Sequence, residues 1–531
     1  MKSADLLVKC LEQEDVRYVF GIPGEENIEL MESLLSSDIR FVLTKHENSA
    51  AFMAETCARL TNRPNVCLST LGPGATNMVT GVADAYLSRV PLIALTGQVG
   101  TERAYHPQKQ YLDLVDLYRP VTKESFSIRT PTRIATQMRR AFDLAAAEKP
   151  GPVHIELPED VMRMETAGGP VPKAHIHHVL SELESVQKVR DVLTSAERPI
   201  IFAGPGAIRN HATEQLRKFA RAWNVPVVHS WYGAGIMPYD DELSLNTVGL
   251  RTADTVRGAF ELADAVVLVG YDLPEFSPTF WNLGRAKQVA VIDAVPAETS
   301  PHFAPQVQLI GNIASILSKL MASAVTKENW TLPYKEDLLH CLDQCPQDGS
   351  PVKPQLIVKA IRQALGRSDI CVSDVGAHLI WLAKRYPVYK ENTLLLSNGL
   401  IPMGVGVPSA IACKLMHPER KVVAACGDAG FMMTATELET AKRLGTGFVS
   451  VIFNDGDLGL IRYKHEKAYG HAYDTSFRNP DLVKFAEAFG AQGYRVSSAK
   501  ELEEVLRSSL RDQELAVIDV PVDYSENKGL M

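Results

Sequence analysis

Short apolar runs of strand length alternate with helix-patterned segments along almost the whole chain, and this alternation limits what the chain can fold into. The first series is "YVFGIPG", "FVLTK", "NVCLSTLGPG", "PLIALTG" and "GPVHIELP"; the second is "RPIIFAGPG", "PVVHS", "AVVLVG" and "QVAVIDA". The third is "ICVSDVG", "TLLLS", "KVVAAC", "FVSVIF" and "LAVIDV". A helix between two strands returns the chain parallel to its start, so serial repetition of the unit gives α/β domains with parallel sheets. Two stretches break the pattern and read as linkers: residues 164–182, rich in Gly, Pro and His, and "VTKENWTLPYKEDLLHCLDQCPQDGSPVKP". Three serial α/β domains follow, at 1–165, 183–325 and 352–531, in keeping with the roughly three that a chain of 531 residues allows. No short-period repeat is visible, but the first and third units each pair a Gly-rich strand-end turn with an acidic loop residue.

Composition narrows the class. A hydrophobic content of 46% with 22% charged residues fits a soluble globular enzyme, and a formal charge of −8 argues against a nucleic-acid footprint. No apolar run reaches the ~18 residues of a membrane span, and the amphipathic start "MKSADLLVKCLEQEDV" is unlike a signal peptide. A cytoplasmic protein with no membrane or nucleic-acid partner is expected. Most of the eight cysteines lie among apolar neighbours, which predicts reduced, buried thiols. "HCLDQC", from His340 to Cys345, is the one stretch with a metal-like look; without a second ligand pair it reads as a helical face in a linker.

Chemistry concentrates in "CGDAGFMMTATELETAKRLGTGFVSVIFNDGD". Gly427-Asp428-Ala429-Gly430 follows one apolar run, and Asp455, 27 positions beyond Asp428, follows the next. A strand–helix–strand unit places both aspartates at the carboxyl ends of adjacent parallel strands, where ligands of open α/β sheets bind. A helix N-terminus under a Gly-rich turn seats phosphate oxygens, with Gly427 and Gly430 allowing close approach. Two carboxylates without a Walker-type lysine point to a hard divalent cation bridging protein and diphosphate oxygens, although a capping aspartate plus a turn aspartate would leave the same trace.

"GDAG" followed by Asn454-Asp455 resembles the thiamine-diphosphate signature of the pyruvate-decarboxylase and acetolactate-synthase family, GDG with NN about two dozen residues on. Ala429 and Asp455 depart from that pattern, and an Asp at the second place is similar to the catabolic acetolactate synthases. The resemblance implies the thiamine-enzyme fold, with pyrimidine-binding, central and diphosphate-binding domains in series. It also implies thiamine diphosphate with Mg²⁺, held by the side chains of Asp428 and Asp455 and the backbone carbonyl of Asp457. Gly427, Ala429, Gly430, Leu458, Gly459 and Leu460 become cofactor-binding positions on the same ground.

Thiamine chemistry also needs a carboxylic residue on the aminopyrimidine, to help remove the thiazolium C2 proton. "TKHENSAAFMAE" resembles the family's HE-x-x-AA-x-MA segment and makes Glu47 that residue, where by itself it would be a partner of the helix dipole. "FGIPGEEN" with Pro23 and Gly24, "TLGPGATN" with Thr70, Gly74 and Asn77, and "PLIALTGQ" resemble cofactor and substrate loops of the first domain. "KQYLDLVDLYRPVTK" puts Gln110 where the family has a glutamine near the reacting carbon. "NGLIPMGVGVP" puts Met403 where the family has an apolar wedge that keeps thiamine bent. Gly376 and His378 in "SDVGAHLIWLAKRY" complete the set, with His378 open to a scaffold role as well.

That segment, with Trp381, and "VGYDLPEFSPTFWN" resemble the catabolic branch, which requires no FAD. The implied reaction is decarboxylation of pyruvate and condensation with a second pyruvate to 2-acetolactate and CO₂. Because pyrimidine-end and diphosphate-end groups lie in different domains, the family's arrangement implies a homodimer at least, and its habit a homotetramer. Lys464 stands where biosynthetic synthases have a Trp; a cation there either holds the carboxylate of an acceptor or faces solvent on a charged helix face beside Arg462, Glu466 and Lys467, and the solvated reading is favoured. Two rivals stand beside this reading. One is a thiamine-dependent 2-ketoacid decarboxylase or a carboligase with another acceptor; the other is a non-catalytic ligand-binding homologue.

Overall fold

The computed structural model describes residues 1–104, 109–173, 183–249, 256–298, 300–343 and 345–529. Among these residues three six-stranded sheets follow one another, and every strand pair within them is parallel. The first contains β1 (Tyr18–Gly21), β2 (Arg40–Leu43), β3 (Asn65–Ser69), β4 (Leu92–Gln98), β5 (Glu124–Ser127) and β6 (Pro152–Pro158). The central sheet contains β7 (Pro199–Ala203), β8 (Val227–His229), β9 (Ser244–Thr247), β10 (Ala265–Val269), β11 (Gln288–Asp293) and β12 (Val307–Ile310). The third contains β13 (Ile370–Ser373), β14 (Leu394–Leu395), β15 (Val422–Gly427), β16 (Val449–Asn454), β17 (Gln492–Arg495) and β18 (Ala516–Pro521).

The expected α/β architecture is therefore present, with four strands that hydropathy missed: β5, β9, β12 and β17. All four lie at sheet edges, where one side of the strand meets water and apolar residues are not required. Interior strands such as β3, β4, β6, β7 and β10 are buried at every position, which is why they read as unbroken apolar runs. The first sheet runs β2-β1-β3-β4-β6-β5 and the third β14-β13-β15-β16-β18-β17, the same strand plan twice. The central sheet runs β12-β11-β10-β7-β8-β9, the doubly wound order with its switch point between β7 and β10.

The expected linker at 164–182 lies partly outside the described residues. The second expected linker carries a helix, Leu332–Asp343, because Trp330, Tyr334 and Leu338 pack on the aromatic core of the central domain. Trp330 Nε1 donates to Pro199 O at 3.0 Å. The first and third domains share one apolar core in which helix Glu47–Thr61 lies along helix Gly406–Met416, with a buried Thr56 to Ser409 hydroxyl bond of 2.8 Å. This packing joins the two domains that carry the expected chemistry.

Candidate active site

In the third domain β15 and β16 pair in parallel with Gly427 opposite Phe453, so Asp428 and Asp455 leave adjacent strand ends side by side. They open on a cavity of about 140 Å³ that gathers Gly376, His378, Met403, the 427–430 turn, Asp455, Asp457 and residues 458–460. The distant segments singled out in the sequence thus converge on one place. Tyr524 and Val375 line it too.

Asp428 is buried; its Oδ2 accepts the Gly456 amide at 2.8 Å and Asn479 Nδ2 at 2.7 Å, and its Oδ1 accepts the Ala429 amide at 2.9 Å. Burial raises its pKa against the pull of these donors. Asp455 is pushed up to about 7, first by burial and then by the negative charges of Asp428 and Asp457. Burial also opposes charge on Asp457, yet Ser476, Thr475 and Arg462 donate to it and hold it below the ordinary carboxylate range. Arg462 and Ser476 share its Oδ2 at 2.9 and 2.7 Å. Arg462 is thus taken up by Asp457 and Glu466, and Asp428 and Asp455 face the cavity with no ion-pair partner among the described residues. Two oxygen ligands of that kind suit a hard cation, whereas no group of three His, Cys, Asp or Glu side chains among the described residues forms a complete cage.

Two expectations about this turn change. A Cβ on Gly430 would lie 2.6 Å from Asp374 Oδ1, and one on Gly427 would lie 3.1 Å from His378 Cε1. These glycines make room for side chains of their own domain. His378 is buried and stacked on Phe453 with centroids 5.4 Å apart. Burial lowers its pKa to about 4, so the ring is neutral, and its Nε2 has no hydrogen-bond partner among the described residues. It belongs both to the scaffold and to the cavity wall. Trp381 is scaffold, its Nε1 bonded to Asn527 Oδ1 at 2.8 Å. Lys464 is exposed on helix Gly459–Tyr469, as the solvated reading expects.

The first domain carries a second cluster. Glu47 begins its helix, is buried, and accepts Asn77 Nδ2 on Oε2 at 3.0 Å. Its Oε1 faces Gly74, where a Cβ would come within 3.3 Å. Gly24 abuts Thr70, and Thr70 donates to Glu26, so the Pro23-Gly24 turn and the Thr70 turn are tied together. Gln110 is exposed with a φ of 66°, and its backbone lies against Gly72. Thr70, Gly74, Asn77, Gln110 and Glu47 are thus neighbours.

Glu26, Asn479 and Tyr524 were missed. Each acts across a distance that sequence hides; only Asn479, ahead of Pro480 at a loop, carried any local signal. A larger cavity, about 360 Å³, lies at the meeting of the three domains. Its arginines are all engaged: Arg59 on Leu396 O, Arg89 on Glu298, and Arg209 on Glu148 and Asp272. The chemistry does not gather there. "HCLDQC" lies partly outside the described residues, among which no metal group and no disulfide occurs.

Comparison with known proteins gives three family matches in chain order. They are the thiamine pyrophosphate enzyme N-terminal TPP binding domain at residues 1–117, the central domain at 186–320, and the C-terminal TPP binding domain at 374–520. The chain is 32% identical to the acetolactate synthase of Bacillus subtilis (strain 168), over 100% of this chain and 94% of the relative. It is also 32% identical to the catabolic acetolactate synthase of Raoultella terrigena, over 100% of this chain and 96% of the relative. Identity to the acetolactate synthase isozyme 3 large subunit of Escherichia coli (strain K12) is 30%, over 99% and 96%.

Proposed function

This chain belongs to the thiamine pyrophosphate enzymes and, within them, to the acetolactate synthase family, and from that premise we propose that it converts two pyruvates to 2-acetolactate and CO₂. The observation that carries the reading is the cavity on which Asp428, Asp455, His378 and Met403 converge, beside a first domain that presents Glu47. Thiamine diphosphate, when bound, supplies the electron sink for decarboxylation. Asp428 and Asp455, with the Asp457 carbonyl, would hold Mg²⁺; the mutual repulsion of carboxylates at these strand ends, which raises Asp455 to about 7, would be relieved by a cation there. The 427–430 and 458–460 turns would hold the diphosphate, and Met403 would give the cofactor an apolar wall.

Glu47 would hold and move a proton at Oε1, the oxygen that Asn77 leaves unengaged, for the cofactor's aminopyrimidine. Gln110, beside Gly72, orients the carbonyl of pyruvate. The apolar wall of Met403, Phe453, Leu458, Leu460 and Ile461 excludes water and favours loss of charge on decarboxylation.

No described first-domain residue lines the Asp428 cavity, which supports a site that Glu47 of one chain completes for a second. Exposed apolar side chains at both half-sites support this: Ile28 and Leu112 in the first domain, Leu400, Ile401, Met433 and Ile461 in the third. A homodimer is the functional minimum and a homotetramer the assembly we favour. At the central switch point, Gly204 and Gly206 press on Gly270, while Lys149 and Arg209 bind Asp272 at 2.9 and 3.0 Å. A crevice filled in this way supports a reaction without FAD. Among the described residues, six buried free thiols support a reducing, cytoplasmic setting, and no helix is long and apolar enough to cross a membrane.

The test is incubation of purified protein with pyruvate, thiamine diphosphate and Mg²⁺ without FAD, followed by product identification. Acetolactate is expected. Aldehyde alone would move the reading to a decarboxylase, and unconsumed pyruvate would end it.

A further inference from the structure

Two buried carboxylates reach across the border between the first and third domains, and each ends beside a residue of the proposed site. Glu437 of the third domain is fully buried, and its Oε1 accepts the amides of Lys45 at 2.8 Å and His46 at 3.3 Å, immediately before Glu47. Its Oε2 accepts Thr440 Oγ1 at 2.6 Å, which fixes the carboxylate to its own helix. In the opposite direction, Asp84 of the first domain accepts Ser397 Oγ at 2.9 Å and bonds the Leu400 amide, three residues before Met403. Gly399 completes the seat, since a Cβ there would lie 2.7 Å from the Leu87 backbone. Tyr232 of the central domain accepts the Asn398 amide at 2.7 Å and closes the turn from its third side.

Beyond the turn, Asp374 accepts the amides of Gly404 and Gly406 at 2.9 and 3.0 Å, so Met403 hangs between two aspartates of different domains. Ile401, inside that span, has a φ of 60°. For a β-branched residue ahead of Pro402 this conformation is strained and persists only where its surroundings impose it. The turn is therefore held in place, not merely packed.

We infer that Glu437 and Asp84 are reciprocal positioning residues: the third domain sets the segment that presents Glu47, and the first domain sets the turn that presents Met403. The significance of Met403 and Glu47 rests on the function proposed above, but the clamp itself can be tested without cofactor. Glu55, Arg59 and Tyr232 face Asp84, and Ser49 faces Glu437, so the variants are chosen to leave those groups intact.

Hydrogen exchange of the unliganded protein should show Glu437→Ala accelerating the 43–48 amides and Asp84→Ala the 397–403 amides, with β3 and β15 unchanged. Unchanged exchange at both segments would overturn the proposal. With cofactor saturating, each variant should lower kcat by roughly tenfold to a hundredfold while the pyruvate KM moves little. Glu437→Gln, which retains an acceptor for both amides, should recover most of that loss; no recovery would argue for a merely structural role. Asp84→Ala should add less than about twofold in a Met403→Ala background, because it acts through Met403. Losses that multiply would sink that arm. Should Asp84→Ala not fold, Ser397→Ala carries the same exchange measurement and cycle. Wild-type protein that forms no acetolactate, with the variants exchanging as described, would fail the function and leave the clamp standing.

Discussion

In the first domain the chain leaves β3 through Thr70, Gly72 and Gly74 toward Asn77, which bonds Glu47; in the third it leaves β15, the strand of equal rank, through Gly427 into Asp428. One strand plan thus delivers a single carboxylate with an unengaged oxygen in one case, and paired carboxylates on neighbouring strand ends in the other. The contrast teaches that topology fixes where a site lies, at the carboxyl edge, while two or three loop residues decide which carboxylates stand there; on the function proposed above, that choice separates a proton-moving half from a cation-holding one. It also separates how the two halves should fail: the first in turnover, the third in binding.

The sharpest break of that contrast is Glu47→Gln. Turnover of pyruvate should fall by about a thousandfold or more, in the range of a lost acid–base group, while calorimetry finds thiamine diphosphate binding within a few fold of wild type. Turnover that survives would remove Glu47 from the proposed role. Asp428→Ala should show the opposite signature, with Mg²⁺ and cofactor affinity lower by at least about a hundredfold as titrated by calorimetry. If kcat fell and affinity held, the two halves would not differ as argued.

Mixing sharpens the comparison further. Co-expressed Glu47→Gln and Asp428→Ala chains should recover about a quarter of wild-type activity, because half the dimers are mixed and each has one intact site of two. Activity no greater than either variant alone would show that both halves serve one chain. The smallest effect is expected at Lys464. Lys464→Ala should leave kcat/KM within about twofold and stability within about 0.5 kcal/mol by chemical denaturation, as for a solvated surface cation.

Much of this was legible before folding. Interior strands bury both faces and must be apolar throughout, so β3, β4, β7, β10, β15 and β16 stood out; β5, β9, β12 and β17 stayed hidden because an edge tolerates polar residues. Asp428 and Asp455 were legible because each follows an apolar run at a turn, whereas Glu47 stood out only through the resemblance of its segment to the family's. Glu26, Asn479, Glu437 and Asp84 were not legible. Their partners lie 44, 51, 392 and 313 positions away, and no local pattern marks them.

The sequence by itself determined three parallel α/β domains and the residue types at their strand ends, because periodicity and backbone sterics act locally. Tertiary structure alone decided that Asp428, His378 and Met403 face one cavity, that Gly430 lacks a side chain in order to leave room for Asp374, and that each outer domain clamps the other. The physical reason is that a buried carboxylate must find donors wherever the fold brings them. Those donors come from segments that share a core but no stretch of sequence.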